Sequence, residues 1–311
     1  MIKANFKLIT LNYFEFEGYG RLKNLLKKHI DFNPVAKDEM VLAYPHPRDN
    51  PNGKTIFHTV FEADKIPDKW VEPANQADAL IVPAPWVKEI FENSGVIAPI
   101  HVIPEGTDEW ERFPTPYGDF TFLHFDATSE NYRKGTDLVI RAFLDLFANK
   151  QGVRLILKGH AREHPEEKRY PNIQYVYRTL PRIELNMLME KAHCFIFPSR
   201  GEGFGLPPLE MMAHAVPTIV SDNSAMSAYA KYAIPIKTEK LIPSQYDIWE
   251  CDGHWFEPSI DDLKEKMLMV YHNYEREKKR AIANRKKLMK IYDFRIVANQ
   301  IVNTVHKIIN G

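Results

Sequence analysis

Arg200-Gly-Glu-Gly-Phe-Gly-Leu-Pro-Pro-Leu-Glu210 is the stretch on which the reading of this chain turns. It follows Cys194-Phe-Ile-Phe-Pro198, an apolar run with the length of a buried strand, and leads into Leu209-Glu-Met-Met-Ala-His-Ala215, a helical pattern. The order predicts a strand–turn–helix unit that fixes two carboxylates, Glu202 and Glu210, eight residues apart. Gly203 and Gly205 allow a ligand close to the backbone, and the N–H groups at a helix start attract phosphate. An acid at the far end of such a turn can accept hydrogen bonds from ribose hydroxyls.

Outward from this unit, short apolar runs alternate with helical patterns. Before Pro104 the predicted strands are Lys7–Asn12, Met40–Tyr44, Thr55–Val60, Ala79–Val82 and Ile100–Ile103, with helices at Arg21–Ile30 and Trp86–Ser94. After it, strands are predicted at Thr121–Phe125, Arg154–Lys158, Ile173–Tyr177, Cys194–Phe197 and Thr218–Ser221. Helices fall near Thr136–Ala148, Arg182–Ala192 and Leu209–His214. Such alternation predicts parallel sheets with crossover helices, and two series imply two α/β domains. The stretch Pro104–Gly118, with three prolines and two glycines, marks the boundary. Ser259 is suited to cap a helix over Asp261–Tyr274; a charged helical stretch to Ile291 and an amphipathic segment, Ile296–Ile309, follow.

At 311 residues the chain can bury two compact cores. Hydrophobic residues at 44% and charged residues at 26% are ordinary for a globular protein. A formal net charge of zero excludes attraction of the whole molecule to nucleic acid. Two cysteines, Cys194 and Cys251, suggest neither a disulfide framework nor a Cys-based metal site. Residues 1–10 carry charges within an apolar run and read as a first strand rather than a signal peptide, and no apolar run reaches the length of a membrane span. A cytoplasmic protein is expected.

The E-x7-E pattern within this layout resembles the retaining nucleotide-sugar glycosyltransferases of GT-B fold, the family-four type (glycosyl transferases group 1). Val60-Phe-Glu-Ala-Asp-Lys-Ile-Pro-Asp-Lys-Trp70, Asn75-Gln-Ala-Asp78 and Ile103-Pro-Glu-Gly106 also resemble a subgroup of these enzymes. The resemblance implies two Rossmann-like domains facing a cleft, with the last helix crossing back onto the first. Residues 1–107 plus 293–311 would form the acceptor side, and 108–292 the donor side. It implies that Glu210 binds the donor ribose, that Glu202 binds hydroxyls of the transferred sugar, and that the backbone of Phe204, Gly205 and Leu206 faces the diphosphate or the sugar. Arg133-Lys134-Gly135 matches an R-K-G element whose Lys reaches the diphosphate. The Arg that such enzymes carry a few residues earlier is absent from His124–Tyr132; either Arg133 supplies that charge, or Lys134 and backbone N–H groups suffice. Lys158, at a strand end, is either a further donor-side cation or a surface lysine. Gly18 and Gly20, in Gly18-Tyr-Gly-Arg21 between the first strand and the first helix, stand where the family has an N-terminal glycine loop that meets phosphate. His58 matches a cleft-facing residue that organises acceptor and reacting sugar. Glu202, His58 and Lys134 make up the expected catalytic set.

The chain has no Asp-x-Asp, the motif that holds a divalent metal in glycosyltransferases of the other major fold. The expectation is a metal-independent site without a cofactor, the nucleotide-sugar serving as co-substrate. Retention in this family is described as front-face attack, the departing phosphate oxygen taking the acceptor's proton. The acceptor is expected to be a saccharide or glycoconjugate; some viral relatives modify hydroxymethylated bases of DNA, and a non-catalytic nucleotide-sugar binding module is a reading of another class. The run Arg276–Lys290 sets eight Lys and Arg against one acid, Glu277. It is either a solvated helix face or a patch for a polyanion or an anionic membrane surface.

Overall fold

Two parallel sheets, one from each strand series, organise a computed structural model that describes residues 1–10, 17–126, 131–159, 169–246 and 250–311. The first series supplies β1 (Ile2–Ala4), β2 (Lys7–Thr10), β3 (Ile30–Phe32), β4 (Glu39–Leu42), β5 (Thr55–His58), β6 (Ala79–Val82) and β7 (Ile100–Val102). Strands β2, β4, β5, β6 and β7 lie side by side in that order, while β1 and β3 pair separately. Strands β4, β5 and β6 are buried along their whole length, which is why they read as continuous apolar runs rather than alternating ones. Helices α1 (Glu17–His29), α2 (Val71–Gln76) and α3 (Pro85–Asn93) accompany this sheet.

The second series supplies β8 (Phe120–Phe125), β9 (Val153–Lys158), β10 (Ile173–Val176), β11 (Cys194–Phe197), β12 (Thr218–Ser221) and β13 (Ile234–Ile236). Its sheet has the order β10-β9-β8-β11-β12-β13. The winding direction reverses between β8 and β11, and ligands in open parallel sheets settle at the carboxyl ends of strands at such a point. Helices α4 (Asn131–Lys134), α5 (Thr136–Phe147), α6 (Arg182–Glu190) and α7 (Leu206–Ala213) lie within this series. Three more end the chain: α8 (Ile260–His272), α9 (Tyr274–Tyr292) and α10 (Phe294–Asn310). Ser259 caps α8, its Oγ accepting from the Asp262 N–H at 3.3 Å.

Helix α10 returns to the first sheet. Phe294, Val297, Ile301, Val302 and Val305 share one buried cluster with Phe6, Leu26, Met40, Ile56 and Ile81. The chain thus passes between the domains twice, and the two passages touch: Thr107 N–H donates to Tyr292 O at 2.9 Å, and Phe294 N–H to Thr107 O at 3.1 Å. Gly106 is required beside them, because a Cβ there would stand 2.8 Å from the Tyr292 carbonyl oxygen.

A second link was not foreseen from the sequence. Strands β14 (Thr238–Pro243) and β15 (His254–Pro258) form an antiparallel hairpin. Its Trp255 is buried in one cluster with Phe61 and Trp70 of the first domain. Asp64 N–H donates to His254 O at 3.1 Å, and Lys65 pairs with Asp252 at 2.8 Å. Residues 1–10, read as a first strand, hold two, β1 and β2; β3 and β13 were not expected, each three residues long and too short to show a period.

Other boundaries differ from expectation. The first long strand ends at Thr10, and its predicted continuation to Asn12 lies outside the described residues. Gly18 and Gly20 sit inside α1 rather than in a loop before it. Glycine in a helix costs about 1 kcal/mol against alanine, and burial of Leu22, Leu25 and Leu26 on one face of α1 supplies a tertiary contribution that outweighs propensity. Lys158 is 7% exposed, so the surface-lysine alternative does not hold.

Candidate active site

The turn after β11 is shaped by three glycines, each for its own reason. Gly205 is left-handed, at φ 86°, and caps the N-terminus of α7. A Cβ on Gly203 would lie 2.6 Å from Val60 Cβ, and one on Gly201 would overlap the Glu62 carbonyl oxygen. The space expected for a ligand at Gly203 is therefore occupied by the first domain's own segment, and at Gly205 a Cβ would overlap the Tyr229 hydroxyl. Pro207 and Pro208 occupy the first turn of α7 and have no N–H, so this helix start offers fewer donors to phosphate than expected.

Glu202 stands at the centre of this turn, 6% exposed. Its Oε1 accepts from Lys134 Nζ at 2.6 Å, Ser199 Oγ at 2.8 Å and Arg133 Nη1 at 3.4 Å. Its N–H donates to Ser224 Oγ at 3.1 Å. Arg133 Nη1 also donates to Gly201 O at 2.6 Å. The two cationic residues come from the end of α4, where Gly135, at φ 74°, turns the chain into α5; any Cβ on it would overlap the Pro198 carbonyl oxygen. The Arg200 N–H closes the unit by donating to Arg133 O at 2.7 Å. The R-K-G turn and the E-x7-E turn are thus one docked structure at the switch point. Arg200, which the sequence reading passed over, anchors it: buried, it pairs with Asp137 at 2.7 Å and Glu257 at 2.6 Å and lies 3.8 Å from the Tyr132 ring centre. An Arg directly after a buried strand is the signal that acids must be near.

Glu210 lies on α7, 3% exposed. Its Oε2 accepts from Arg182 Nη1 at 3.1 Å, and Arg182 Nη2 lies 2.7 Å from Glu109 Oε1. Burial opposes the charge on Arg182, but Glu210 and Glu109 outweigh it and raise the pKa. Phe204 and Leu206 point into the core; the Phe204 ring packs on Tyr229 and Tyr292. The carbonyls of Phe204 and Gly205 accept from the Tyr229 hydroxyl at 2.9 and 2.8 Å.

The first domain contributes His58, at the end of β5 and 1% exposed. Its Nδ1 has no hydrogen-bond partner among the described residues. Burial lowers its pKa to about 4, so the imidazole is neutral at physiological pH. Glu105, at the domain boundary, was not singled out from the sequence. Burial, with the Glu202 charge adding to it, raises its pKa to about 8, and at neutral pH it holds a proton. Its signal is an acid between Pro104 and Gly106 in an otherwise turn-forming stretch. The basic run on α9 divides in two. Lys278 donates to Pro114 O and Ala215 O, Arg280 to Ala233 O, and Arg285 to Ala213 O at the end of α7. Those cations serve helix and loop ends, while Lys279, Lys286 and Lys290 are exposed.

Residues 120–244 match the family model described as glycosyl transferases group 1. A protein assigned as glycosyltransferase 45 in Sulfolobus islandicus filamentous virus (isolate Iceland/Hveragerdi) is 26% identical over 239 residues, 74% of this chain and 67% of that protein. The crystal structure of TarM superposes with a TM-score of 0.65 at 15% identity, over 86% of this chain and 54% of TarM. The chain thus spans about half the length of TarM. Trehalose-6-phosphate synthase, solved with bisubstrate glycomimetics in a study of glycosyltransfer with retention, gives a TM-score of 0.67 at 12% identity. That match covers 94% of this chain and 79% of the synthase. Among the described residues no helix is long and apolar enough to cross a membrane.

Proposed function

We infer that this chain, a member of the group 1 glycosyl transferases with the GT-B fold, moves a sugar with retention from a nucleotide-sugar donor to the hydroxyl of a saccharide or glycoconjugate. The observation that carries the reading is the Lys134–Glu202 contact of 2.6 Å at the reversal between β8 and β11. In the resting site the ammonium and the carboxylate neutralise each other. A donor diphosphate offers Lys134 a stronger anion, and Glu202 then accepts hydrogen bonds from the sugar hydroxyls. Glu210 takes the ribose hydroxyls, and neutral His58 holds a sugar hydroxyl from the acceptor side. During transfer the bond from the anomeric carbon to the β-phosphate oxygen breaks, and the acceptor oxygen bonds that carbon on the same face. The acceptor's proton passes to the departing phosphate oxygen. Lys134, with Arg133 behind it, stabilises the charge growing there, so no metal is required.

A TarM variant of S. aureus solved with UDP supports a nucleoside diphosphate as the leaving group, and the synthase studied for glycosyltransfer with retention supports retention. The free cysteines Cys194 and Cys251 suit a reducing cytoplasm. The test is nucleotide release from a panel of UDP-, GDP- and ADP-sugars, without acceptor and then with saccharides and with hydroxymethylated duplex DNA. Slow release from one donor, accelerated by a saccharide, is expected. E210A should weaken that donor's affinity about ten- to a hundredfold, the worth of charge-assisted hydrogen bonds to ribose. Donor binding without any release would reduce the protein to a binding module.

A further inference from the structure

Arg182 is the first residue of α6 and stands between two carboxylates. Its Nη1 is 3.1 Å from Glu210 Oε2 and its Nη2 is 2.7 Å from Glu109 Oε1. The side chain of Glu210 is 5% exposed, and that of Glu109 13%. Glu109 belongs to the short 3-10 turn Glu109–Glu111 just after the first passage between the domains. That turn is itself anchored: Trp110 is buried, and its Nε1 donates to Thr107 O at 2.7 Å. The terminal torsion of a glutamate has a broad, weakly defined preference. A guanidinium N–H on one oxygen restrains that oxygen and so narrows the directions in which the remaining lone pairs can accept. The guanidinium meets Glu210 and Glu109 with separate nitrogens held in one plane, whereas an ammonium would meet both from a single rotatable point charge.

We propose that Arg182 is a positioning residue for ribose recognition. It holds the Glu210 carboxylate through Oε2, so that the remaining lone pairs meet the ribose hydroxyls of the donor. Through Glu109 it keeps that carboxylate in register with the linker between the domains. The inference rests on the ribose role of Glu210, and the experiment separates the two.

The tightest binder among UDP, GDP and ADP is titrated against its 2′-deoxy counterpart by calorimetry, on the intact chain and on R182Q, R182K and E210A. The unaltered protein should prefer the ribonucleotide by about ten- to a hundredfold, the worth of one charge-assisted hydrogen bond. R182Q should bring the ratio within about threefold, a change that general loosening of the fold would not produce, because both nucleotides would then weaken alike. R182K keeps the charge and guards against a misfolded R182Q; it should fall at least threefold short of the original ratio. A full preference in either folded variant overturns the proposal. E210A should abolish the preference. If E210A keeps it, the ribose assignment fails and the role of Arg182 falls with it. If E210A loses it while the Arg182 variants retain it, only the role of Arg182 fails. Binding of none of the three diphosphates would overturn the donor site itself.

Discussion

Gly203→Ala tests whether the two domains meet during the reaction as they do at rest. The added Cβ would stand 2.6 Å from Val60 Cβ and 3.0 Å from its Cγ2, while carbon atoms pack at about 3.5–4.0 Å. Relief requires about 1 Å of separation between the turn and the segment that includes Val60. Gly203 is not left-handed, so the alanine adds no backbone strain of its own. Val60 follows His58 by two residues, and Gly203 directly follows Glu202, so the separation moves the His58 imidazole away from the Glu202 carboxylate, the pair proposed to meet acceptor and sugar. A misplacement of about 1 Å costs roughly a hundredfold in rate, about 2.7 kcal/mol. G203A should therefore lower kcat/KM for transfer about a hundredfold, while affinity for the nucleoside diphosphate changes less than about threefold. Initial rates and calorimetry measure the two quantities. Unaltered kcat/KM would overturn the proposed contact, and equal losses of rate and affinity would place the damage in the turn itself.

Chelation should leave activity intact, and K134A should lower kcat more than it weakens donor binding, because leaving-group charge grows toward the transition state; loss of activity in EDTA with recovery in manganese or magnesium would overturn this. Stability should depend on pH through two groups of opposite sign. The folded value of His58, about 4, lies below its ordinary 6.5, so its contribution is present above 6.5 and is lost as pH falls through 4. The folded value of Glu105, about 8, lies above its ordinary 4.5, so its contribution is present below 4.5 and is lost as pH rises through 8. Urea midpoints followed from pH 4 to 9 should show H58N flattening the acid limb and E105Q the limb between 4.5 and 8. R285A removes a charged hydrogen bond to Ala213 O and should cost about 1.5–3 kcal/mol in urea unfolding, whereas exposed Lys286→Ala should stay within about 0.5 kcal/mol. Equal effects of the two would mean that the basic run is solvated throughout.

The fold was legible because its signals are local and repeated. Buried strands such as Ala79–Val82 and Cys194–Phe197 are apolar throughout, and the glycines and prolines at 104–118 interrupt the alternation once. The hairpin was not legible: Thr238–Pro243 is exposed or half-buried, and its partner strand is separated from it by ten residues, 244–253, so no short turn marks the pairing. At the site, Glu202, Lys134 and Glu210 could be named because the E-x7-E and R-K-G patterns resemble those of a known family. Arg182 and Arg200 could not. Their roles come from acids distant in sequence, Glu109 and Glu257, that only the folded chain brings near. Glu105 was hidden for a related reason, since its protonation depends on burial and on Glu202, 97 positions away. The glycine at 203 was recognised as an opening, but what fills it is the first domain.

The two passages between the domains are stitched at Thr107 and Asp293, and the hairpin fastens separately at Asp64. One fastening leaves a body free to tumble about a point; two define an axis. Any movement that keeps both is a swing about the line joining them, and any other must first release Asp64 from the hairpin. Opening along that swing must also part Gly203 from Val60 and Gly201 from Glu62, so the separation of the domains there becomes a single angular coordinate. Substrates of different bulk would be distinguished by how far that one angle opens, without separate rearrangement of the strand that carries His58 or the turn that carries Glu202.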